Sequence, residues 1–124
     1  MDINRICVYC ASSNKVADIY GETAYELGAL LAKEGITVVT GAGGIGLMRK
    51  VEDGALDNGG KAIGVIPQFM VEHGWHHTGL TELRITESMH ERKQTMANLS
   101  DGVIALPGGC GTMEELLEII TWKP

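Results

Sequence analysis

The sequence predicts a three-layer α/β/α domain with a doubly wound parallel sheet at its centre. Five short apolar runs alternate with stretches that carry turn residues or helical periodicity, as in strands joined by crossover helices. The run at residues 36–40 is nearly all apolar, which is typical of a parallel strand covered on both faces. The 124 residues are enough for about one core, so we expect a single domain over residues 1–124.

The predicted elements follow one another without a linker or a repeat. We expect strands at Ile6–Cys10, Ile36–Thr40, 61–67, 83–86 and 102–106. The first helix should run through Glu34 and end at Gly35, with one apolar face made of Ala24, Leu27, Leu30 and Leu31. Further helices are expected from about Leu47 to Asn58, closed by Gly59 and Gly60, over residues 88–100, and after Thr112. The segment 68–83 has weak periodicity, and we expect it to fold over an edge of the sheet.

The charge balance and the apolar runs exclude two classes of partner. The chain has 16 acidic and 10 basic residues, a net charge of −6, and no Lys/Arg stripe that would bind a nucleic-acid backbone. No apolar run approaches the roughly 20 residues that span a bilayer, and the amino-terminal residues lack a secretory signal. We therefore expect a cytoplasmic protein that binds neither nucleic acid nor membrane.

Cys7 and Cys10 form a C-x-x-C spacing inside the first predicted strand. Side chains three residues apart on a strand point to opposite faces, whereas a redox pair needs both thiols at a helix start. A redox or metal role stays open, but we favour buried thiols, because free cysteine packs as a small apolar residue.

Two glycine-rich stretches stand where a strand is followed by a helix. GAGGIG at 41–46 follows the second strand, and LPGGCGTMEE at 106–115 follows the fifth. Glycine lets a backbone approach a ligand closely, and the first N–H groups of a helix bind phosphate. We interpret the two stretches as holding one phosphate from two sides, with ligand-free tight turns as the alternative. A nicotinamide dehydrogenase is disfavoured, because residues 65–68 lack the acidic group that binds ribose.

Glu115 and Arg92 are the candidate chemical groups beside these stretches. Thr112–Glu115 reads T-M-E-E, a helix capping box, so Glu115 is either a structural cap or a catalytic carboxylate. Ser88–Glu91, S-M-H-E, is a second capping box. Arg92 lies beside the apolar stripe of Met89, Met96 and Leu99, where an arginine needs a carboxylate or a phosphate partner. A salt bridge in the core is the alternative to a phosphate.

The motifs MHERKQTM at 89–96 and LPGGCGTMEELLE at 106–118 resemble the Lonely Guy family, the cytokinin-activating phosphoribohydrolases also labelled lysine decarboxylases. YCASS, GLM and IPQFM extend the resemblance over nearly the whole chain. It implies a Rossmann-like fold, usually dimeric, that hydrolyses the N-glycosidic bond of a nucleoside 5′-monophosphate. AMP or its N6-modified cytokinin forms would give free base and ribose 5-phosphate. The family chain continues past the last helix, so we expect this chain to lack a final strand and helix.

The resemblance also implies the residues of the site. Arg92 and Glu115 correspond to the arginine and glutamate regarded as catalytic in the family. The P-G-G-x-G-T element implies phosphate and ribose contacts from Gly108, Gly109, Gly111 and Thr112. Further substrate contacts are expected from Ser12, Gly43, Gly44, Gly46, Met89, Glu91 and Lys93. Ala42 stands where the family loop more commonly has glycine, and we expect its methyl group to be tolerated.

No metal or cofactor is expected. His73, His76 and His77 lie in an irregular segment without a carboxylate cluster, so we expect a surface or interface loop there. No lysine has the context of a pyridoxal phosphate Schiff base, so the residues do not support the decarboxylase label. The alternative function is a nucleotide- or phosphoryl-ligand-binding module of the same fold without catalysis. A pure binder would gain little from Glu115, whereas hydrolysis through an oxocarbenium-like state needs a carboxylate.

Overall fold

The computed structural model describes residues 3–10 and 18–106 of the chain. Its elements are β1 (Arg5–Tyr9), α1 (Asp18–Lys33), β2 (Thr37–Thr40), α2 (Gly46–Asp57), β3 (Ala62–Pro67), α3 (Gln68–Glu72), β4 (Glu82–Thr86), α4 (Met89–Leu99) and β5 (Gly102–Ala105). All five predicted strands are present within about two residues of the expected bounds. The helix expected after Thr112 lies outside the described residues. None of the helices within residues 18–106 is long and apolar enough to cross a membrane.

The five strands form one parallel sheet in the order β4-β3-β2-β1-β5. The chain moves outward in one direction from β1 to β4 and then returns to the other side of β1 as β5. This reversal between β1 and β5 makes the sheet doubly wound, as predicted. In such sheets ligands bind beyond the carboxyl ends of the strands, near the reversal.

Helices cover both faces of the sheet and enclose two apolar cores. The core under α1 and α2 contains Val8, Cys10, Ala24, Leu31, Val38, Leu47, Val51 and Ala55. The core under α4 contains Cys7, Tyr9, Val39, Ile63, Val65, Met96 and Ala97. Neighbouring residues of β1 alternate between the two cores, because successive strand side chains point to opposite faces. Cys7 and Cys10 are buried and lie on opposite faces of the sheet, which confirms that prediction.

The apolar face of α1 differs from the prediction at one residue. Ala24 and Leu31 are buried and Leu27 packs against them, but Leu30 is 56% exposed. At 3.6 residues per turn, Leu30 is rotated by about 100° from Leu31 around the helix axis. The prediction that Leu30 shares the covered face is therefore wrong.

Both α1 and α2 end at a glycine with left-handed backbone geometry. The φ angle is 73° at Gly35 and 78° at Gly59. The amide of Ile36 donates to the Leu31 carbonyl at 2.9 Å, and the amide of Gly60 donates to the Ala55 carbonyl at 2.8 Å. These are the contacts of the Schellman motif, which satisfies the last carbonyl groups of a helix. The predicted ends of both helices are confirmed.

α1 and α2 cross so closely that only glycine fits at the contact. A Cβ atom on Gly28 of α1 would lie 2.1 Å from the Val51 carbonyl oxygen. A Cβ atom on Gly54 of α2 would lie 2.1 Å from the Tyr25 carbonyl oxygen. The backbones of α1 and α2 thus pack directly against each other at this contact.

A Gly28→Ala substitution should lower the free energy of unfolding by about 1–3 kcal/mol, because the methyl group forces the two helices apart. Gly21→Ala, in the same helix, is the matched control, since its Cβ would lie 3.9 Å from flexible atoms of Lys50. The control should raise the free energy of unfolding by up to about 1 kcal/mol, because alanine favours helix. Urea denaturation of both variants measures this, and equal stabilities would contradict the close crossing.

Candidate functional site

A glycine loop joins the carboxyl end of β2 to the first turn of α2. We use this name for residues 41–46, GAGGIG. Ile45 is the N-cap of α2, and its side chain cannot accept a hydrogen bond from the first helical amides. The first turn of α2 also carries no acidic side chain. The amino end of the helix dipole therefore faces the carboxyl edge of the sheet without a negative side chain of its own, which favours an anion there.

Ala42 holds the tightest turn of the glycine loop. Its φ angle is 66°, in the left-handed region, and the residue is completely buried. Its amide donates to the Thr40 hydroxyl at 3.1 Å, and its carbonyl accepts from the His77 amide at 2.9 Å. The methyl group lies over Gly64, where an added Cβ would come within 2.6 Å of it. The structure thus accommodates the Ala42 methyl group, although left-handed geometry costs alanine about 1–2 kcal/mol.

Arg92 joins α4 to the carboxyl ends of two strands. Its Nε donates to the Val65 carbonyl of β3 at 2.9 Å, and its Nη2 donates to the Gly41 carbonyl after β2. A weaker contact of 3.7 Å joins Nη1 to the Met89 sulfur. Within the described residues, backbone carbonyls thus place the guanidinium, and a carboxylate or phosphate partner stays a prediction. A Cβ on Gly41 would lie 2.2 Å from Nη2, so the missing side chain makes room for the arginine.

Ser88 caps α4, the helix that carries Arg92. The Ser88 hydroxyl accepts from the Glu91 amide at 3.1 Å, as the predicted capping box requires. The Glu91 carboxylate accepts from the Glu87 amide at 3.1 Å, one residue before the expected Ser88 amide. The second half of the predicted box is therefore displaced by one residue. Glu91 is exposed at this helix start, whereas Lys93, two residues further along α4, is half-buried.

A second segment crosses the glycine loop. The strap, residues 75–77, forms an isolated antiparallel bridge between His76 and Gly43. The Gly44 amide donates to the Trp75 carbonyl at 3.1 Å. The segment was expected to fold over an edge of the sheet, and its strap instead covers the loop after β2.

His77 is buried, against the expectation that this segment is a surface or interface loop. Only 6% of the residue is exposed. Its Nδ1 accepts from the Gly79 amide at 2.8 Å, so Nε2 carries the proton and donates to Asp53 of α2 at 2.7 Å. The burial follows from this paired bonding, because both ring nitrogens have partners.

Asp53 also pairs with Arg49, one helical turn earlier, at 3.3 Å. Arg49 in turn donates to the Gly44 carbonyl at 3.3 Å. The strap, α2 and the glycine loop are therefore linked through a chain of charged and polar side chains.

Glu52 is completely buried beside this chain of contacts, and neither of its carboxyl oxygens has a hydrogen-bond partner within residues 3–10 and 18–106. Burial, reinforced by the charge of Asp53, raises the pKa of Glu52 from its usual value near 4.5 to about 9, while Arg49 opposes the shift. The side chain is therefore protonated at neutral pH. The apolar residues Met48 and Leu56, one turn away on either side, were the sequence signal that this position faces inward.

The structure brings part of the predicted site together. Gly43, Gly44 and Gly46 belong to the loop and helix start that meet α4 through Arg92, and Met89 contacts that arginine. Ser12, Gly108, Gly109, Gly111, Thr112 and Glu115 lie outside the described residues, so their roles stay predictions. The sequence interpretation missed Arg49, Glu52, Asp53 and the pairing role of His77. Within residues 3–10 and 18–106, no three His, Cys, Asp or Glu side chains are grouped to hold a metal ion.

Sequence comparison identifies a protein family and individual proteins that are similar to this chain. The profile of the family described as "Possible lysine decarboxylase" matches residues 48–124. Cytokinin riboside 5′-monophosphate phosphoribohydrolases of Oryza sativa subsp. japonica and Arabidopsis thaliana are 48% and 45% identical to it over 118 residues. Each match covers 95% of this chain, but 49% of the rice protein and 55% of the Arabidopsis protein. The chain thus spans about half the length of the curated relatives it matches.

Structure comparison finds the same fold in solved proteins. The molybdenum cofactor carrier protein of Chlamydomonas reinhardtii aligns with a TM-score of 0.84 at 25% identity, covering 98% of this chain and 73% of its own. The molybdenum cofactor binding protein of Rippkaea orientalis aligns with a TM-score of 0.83 at 25% identity, covering 99% and 74%. These alignments confirm the predicted Rossmann-like α/β fold.

Stability should fall as pH rises, and Glu52→Gln should remove that dependence. The folded protein keeps the Glu52 proton up to about pH 9, whereas the unfolded chain releases it near 4.5. The folded state binds more protons between these values, so the free energy of unfolding decreases across that window. Between about pH 4.5 and neutral pH, the free energy of unfolding of the wild type should fall by up to about 3 kcal/mol more than that of Glu52→Gln.

Urea denaturation at about pH 5 and about pH 8 measures this difference in slope. Glu72→Gln, at an exposed position in α3, is the control and should keep the wild-type pH dependence. Parallel pH profiles for the wild type and Glu52→Gln would show that Glu52 is ionised in the folded protein.

Proposed function

The chain belongs to the family described as possible lysine decarboxylase, and on this premise we propose that it hydrolyses the N-glycosidic bond of a purine nucleoside 5′-monophosphate. The proposed substrates are AMP or an N6-modified cytokinin nucleotide, and the products are free base and ribose 5-phosphate. Its relatives at 45–48% identity are named for this reaction on cytokinin riboside 5′-monophosphates. The names support the reaction class, and the choice of base is part of the proposal.

The observation that carries this proposal is the position of Arg92. Its guanidinium is held between the carbonyls of Val65 and Gly41, at the carboxyl ends of neighbouring strands. The glycine loop and the amino end of α2 adjoin the same place. A fixed cation beside a helix amino terminus, at this edge of a doubly wound sheet, suits a phosphate monoester.

In the proposed reaction the 5′-phosphate binds at the glycine-rich loops and holds the sugar in place. Binding energy from this remote group then positions the anomeric carbon. Glu115 stabilises the positive charge of the oxocarbenium-like state and orients or deprotonates the attacking water. Arg92 holds the phosphate or assists the departing purine. No step in this scheme uses a metal ion.

The assembly and location of the enzyme are part of the same proposal. We propose one nucleotide-binding domain over residues 1–124 and a homodimer, the latter resting on the family resemblance. A cytoplasmic location is supported by the cysteine count, because three cysteines without a repeating spacing are a poor disulfide framework.

A second candidate is a binding module that holds a phosphorylated ligand without cleaving it. The solved proteins of the same fold are described as a molybdenum cofactor carrier and a molybdenum cofactor binding protein, at 25% identity. Their titles describe carriage and binding, so the fold alone does not require catalysis. Glu115 distinguishes the two candidates, because hydrolysis depends on its carboxylate and carriage does not.

The purified protein should release free base from AMP or from N6-isopentenyl-AMP, and Glu115→Gln should reduce the rate by at least about a hundredfold. The amide keeps the shape of the side chain but cannot stabilise a cationic transition state or act as a base. Chromatography of the products at matched protein concentrations measures the release.

Nucleotide binding and thermal unfolding of Glu115→Gln are the controls for folding. Binding without base release by the wild type would favour the binding module. Equal rates for the two proteins would assign Glu115 to the helix cap instead.

A further inference from the structure

The glycine loop makes two backbone hydrogen bonds to the strap. The Gly44 amide donates to the Trp75 carbonyl at 3.1 Å, and the His77 amide donates to the Ala42 carbonyl at 2.9 Å. These bonds lie on either side of Gly43, so they fix the backbone at the centre of the loop. Ala42 is held in left-handed geometry between them and Thr40. Such geometry persists only where neighbouring contacts impose it.

The side chain of His77 attaches the strap to the helix that follows the loop. Its Nε2 donates to Asp53 at 2.7 Å while Nδ1 accepts from the Gly79 amide at 2.8 Å. Asp53 lies two turns into α2, whose first residue is the last glycine of the loop. Arg49 completes a closed circuit, because it contacts both Asp53 and the Gly44 carbonyl. Loop, strap and helix are thus held in one arrangement.

We propose that His77 is a positioning residue for the nucleotide phosphate, acting through the strap to hold the glycine loop in its binding geometry. This role rests on the proposed function, because it assumes that the loop receives the phosphate. His77 does not touch the substrate; its imidazole fixes the strap, and the strap fixes Ala42 and Gly44. Arg92 keeps its separate bond to the Val65 carbonyl when the strap loosens. Loss of His77 therefore weakens substrate binding more than it slows the chemical step.

His77→Phe keeps a flat ring of similar size and removes both ring hydrogen bonds. KM for the nucleotide should rise about tenfold while kcat changes less than about threefold, the size expected for losing one charge-assisted hydrogen bond. His77→Gln keeps an N–H that reaches Asp53 and should recover most of the affinity. Asp53→Asn keeps an acceptor oxygen and should fall between the two. His73→Phe, at an exposed position stacked on Trp75, is the matched control and should leave KM unchanged.

Two readouts separate positioning from a merely structural role. A structural role would lower the melting temperature and the active fraction, and so kcat, without changing KM. Positioning predicts faster hydrogen exchange of the Gly44 amide in His77→Phe at temperatures where the protein remains folded. An unchanged KM together with unchanged Gly44 exchange would overturn the proposal, as would failure of His77→Gln to restore affinity.

The test also stands apart from the proposed function. If the wild type releases no base, the proposed hydrolase function is contradicted. The positioning role of His77 is then tested separately by measuring the binding of ribose 5-phosphate. His77→Phe should weaken that binding about tenfold by calorimetry, and His77→Gln should restore it. Equal affinity of the wild type and His77→Phe for ribose 5-phosphate would overturn the role of His77 whatever the activity. Should His77→Phe not fold, Asp53→Asn and His77→Gln give the same comparison.

Discussion

Arg92 is the side chain on which the arrangement of the candidate site depends. Its guanidinium donates to the Gly41 carbonyl, just after β2, and to the Val65 carbonyl in β3. These bonds fix α4 relative to both strands and to the glycine loop. The arginine fits because Gly41 has no side chain at the point of contact. Backbone carbonyls orient the guanidinium, and its planar fork of N–H donors suits an anionic ligand. The same interaction therefore has a structural and a chemical consequence.

Two unfavourable features lie in or next to the glycine loop. Ala42 has left-handed geometry, and Glu52 is buried without a hydrogen-bond partner in the described part of the chain. Other contacts offset these two features by fixing α1 and α2, the helical layer next to the loop. They are the close crossing of the two helices at Gly28 and the Schellman motifs at their ends. Strained groups at a ligand edge, held by well-packed elements, are typical of sites whose geometry must exist before the ligand arrives. The geometry of the loop thus depends on the contacts that its neighbours make.

The fold could be predicted because its signals are local. Apolar runs marked the strands, Gly35 marked a helix end, and alternation placed Cys7 and Cys10 on opposite faces. The contacts of the site are not local: His77 and Asp53 are 24 positions apart, and nothing in EHGWHH distinguishes the buried histidine. Backbone carbonyls have no sequence signature, so the carbonyl groups that bind Arg92 could not be predicted from the sequence either. The burial of Glu52 could have been predicted from its apolar neighbours in α2. The role of Glu115 stays a prediction, because that residue lies outside the described residues.

The most direct test moves the Arg92 guanidinium without removing it. The added Cβ of Gly41→Ala would lie 2.2 Å from Nη2, so the end of the arginine has to shift away from the Gly41 carbonyl. Base release from the nucleoside monophosphate should then fall by at least about a hundredfold, while the protein remains folded at the assay temperature with its free energy of unfolding lowered by about 1–3 kcal/mol. Gly102→Ala, whose added Cβ would meet no atom of residues 3–10 or 18–106 within 4 Å, is the control and should leave base release unchanged. Full activity of Gly41→Ala would show that the position of the Arg92 guanidinium does not determine the rate of base release.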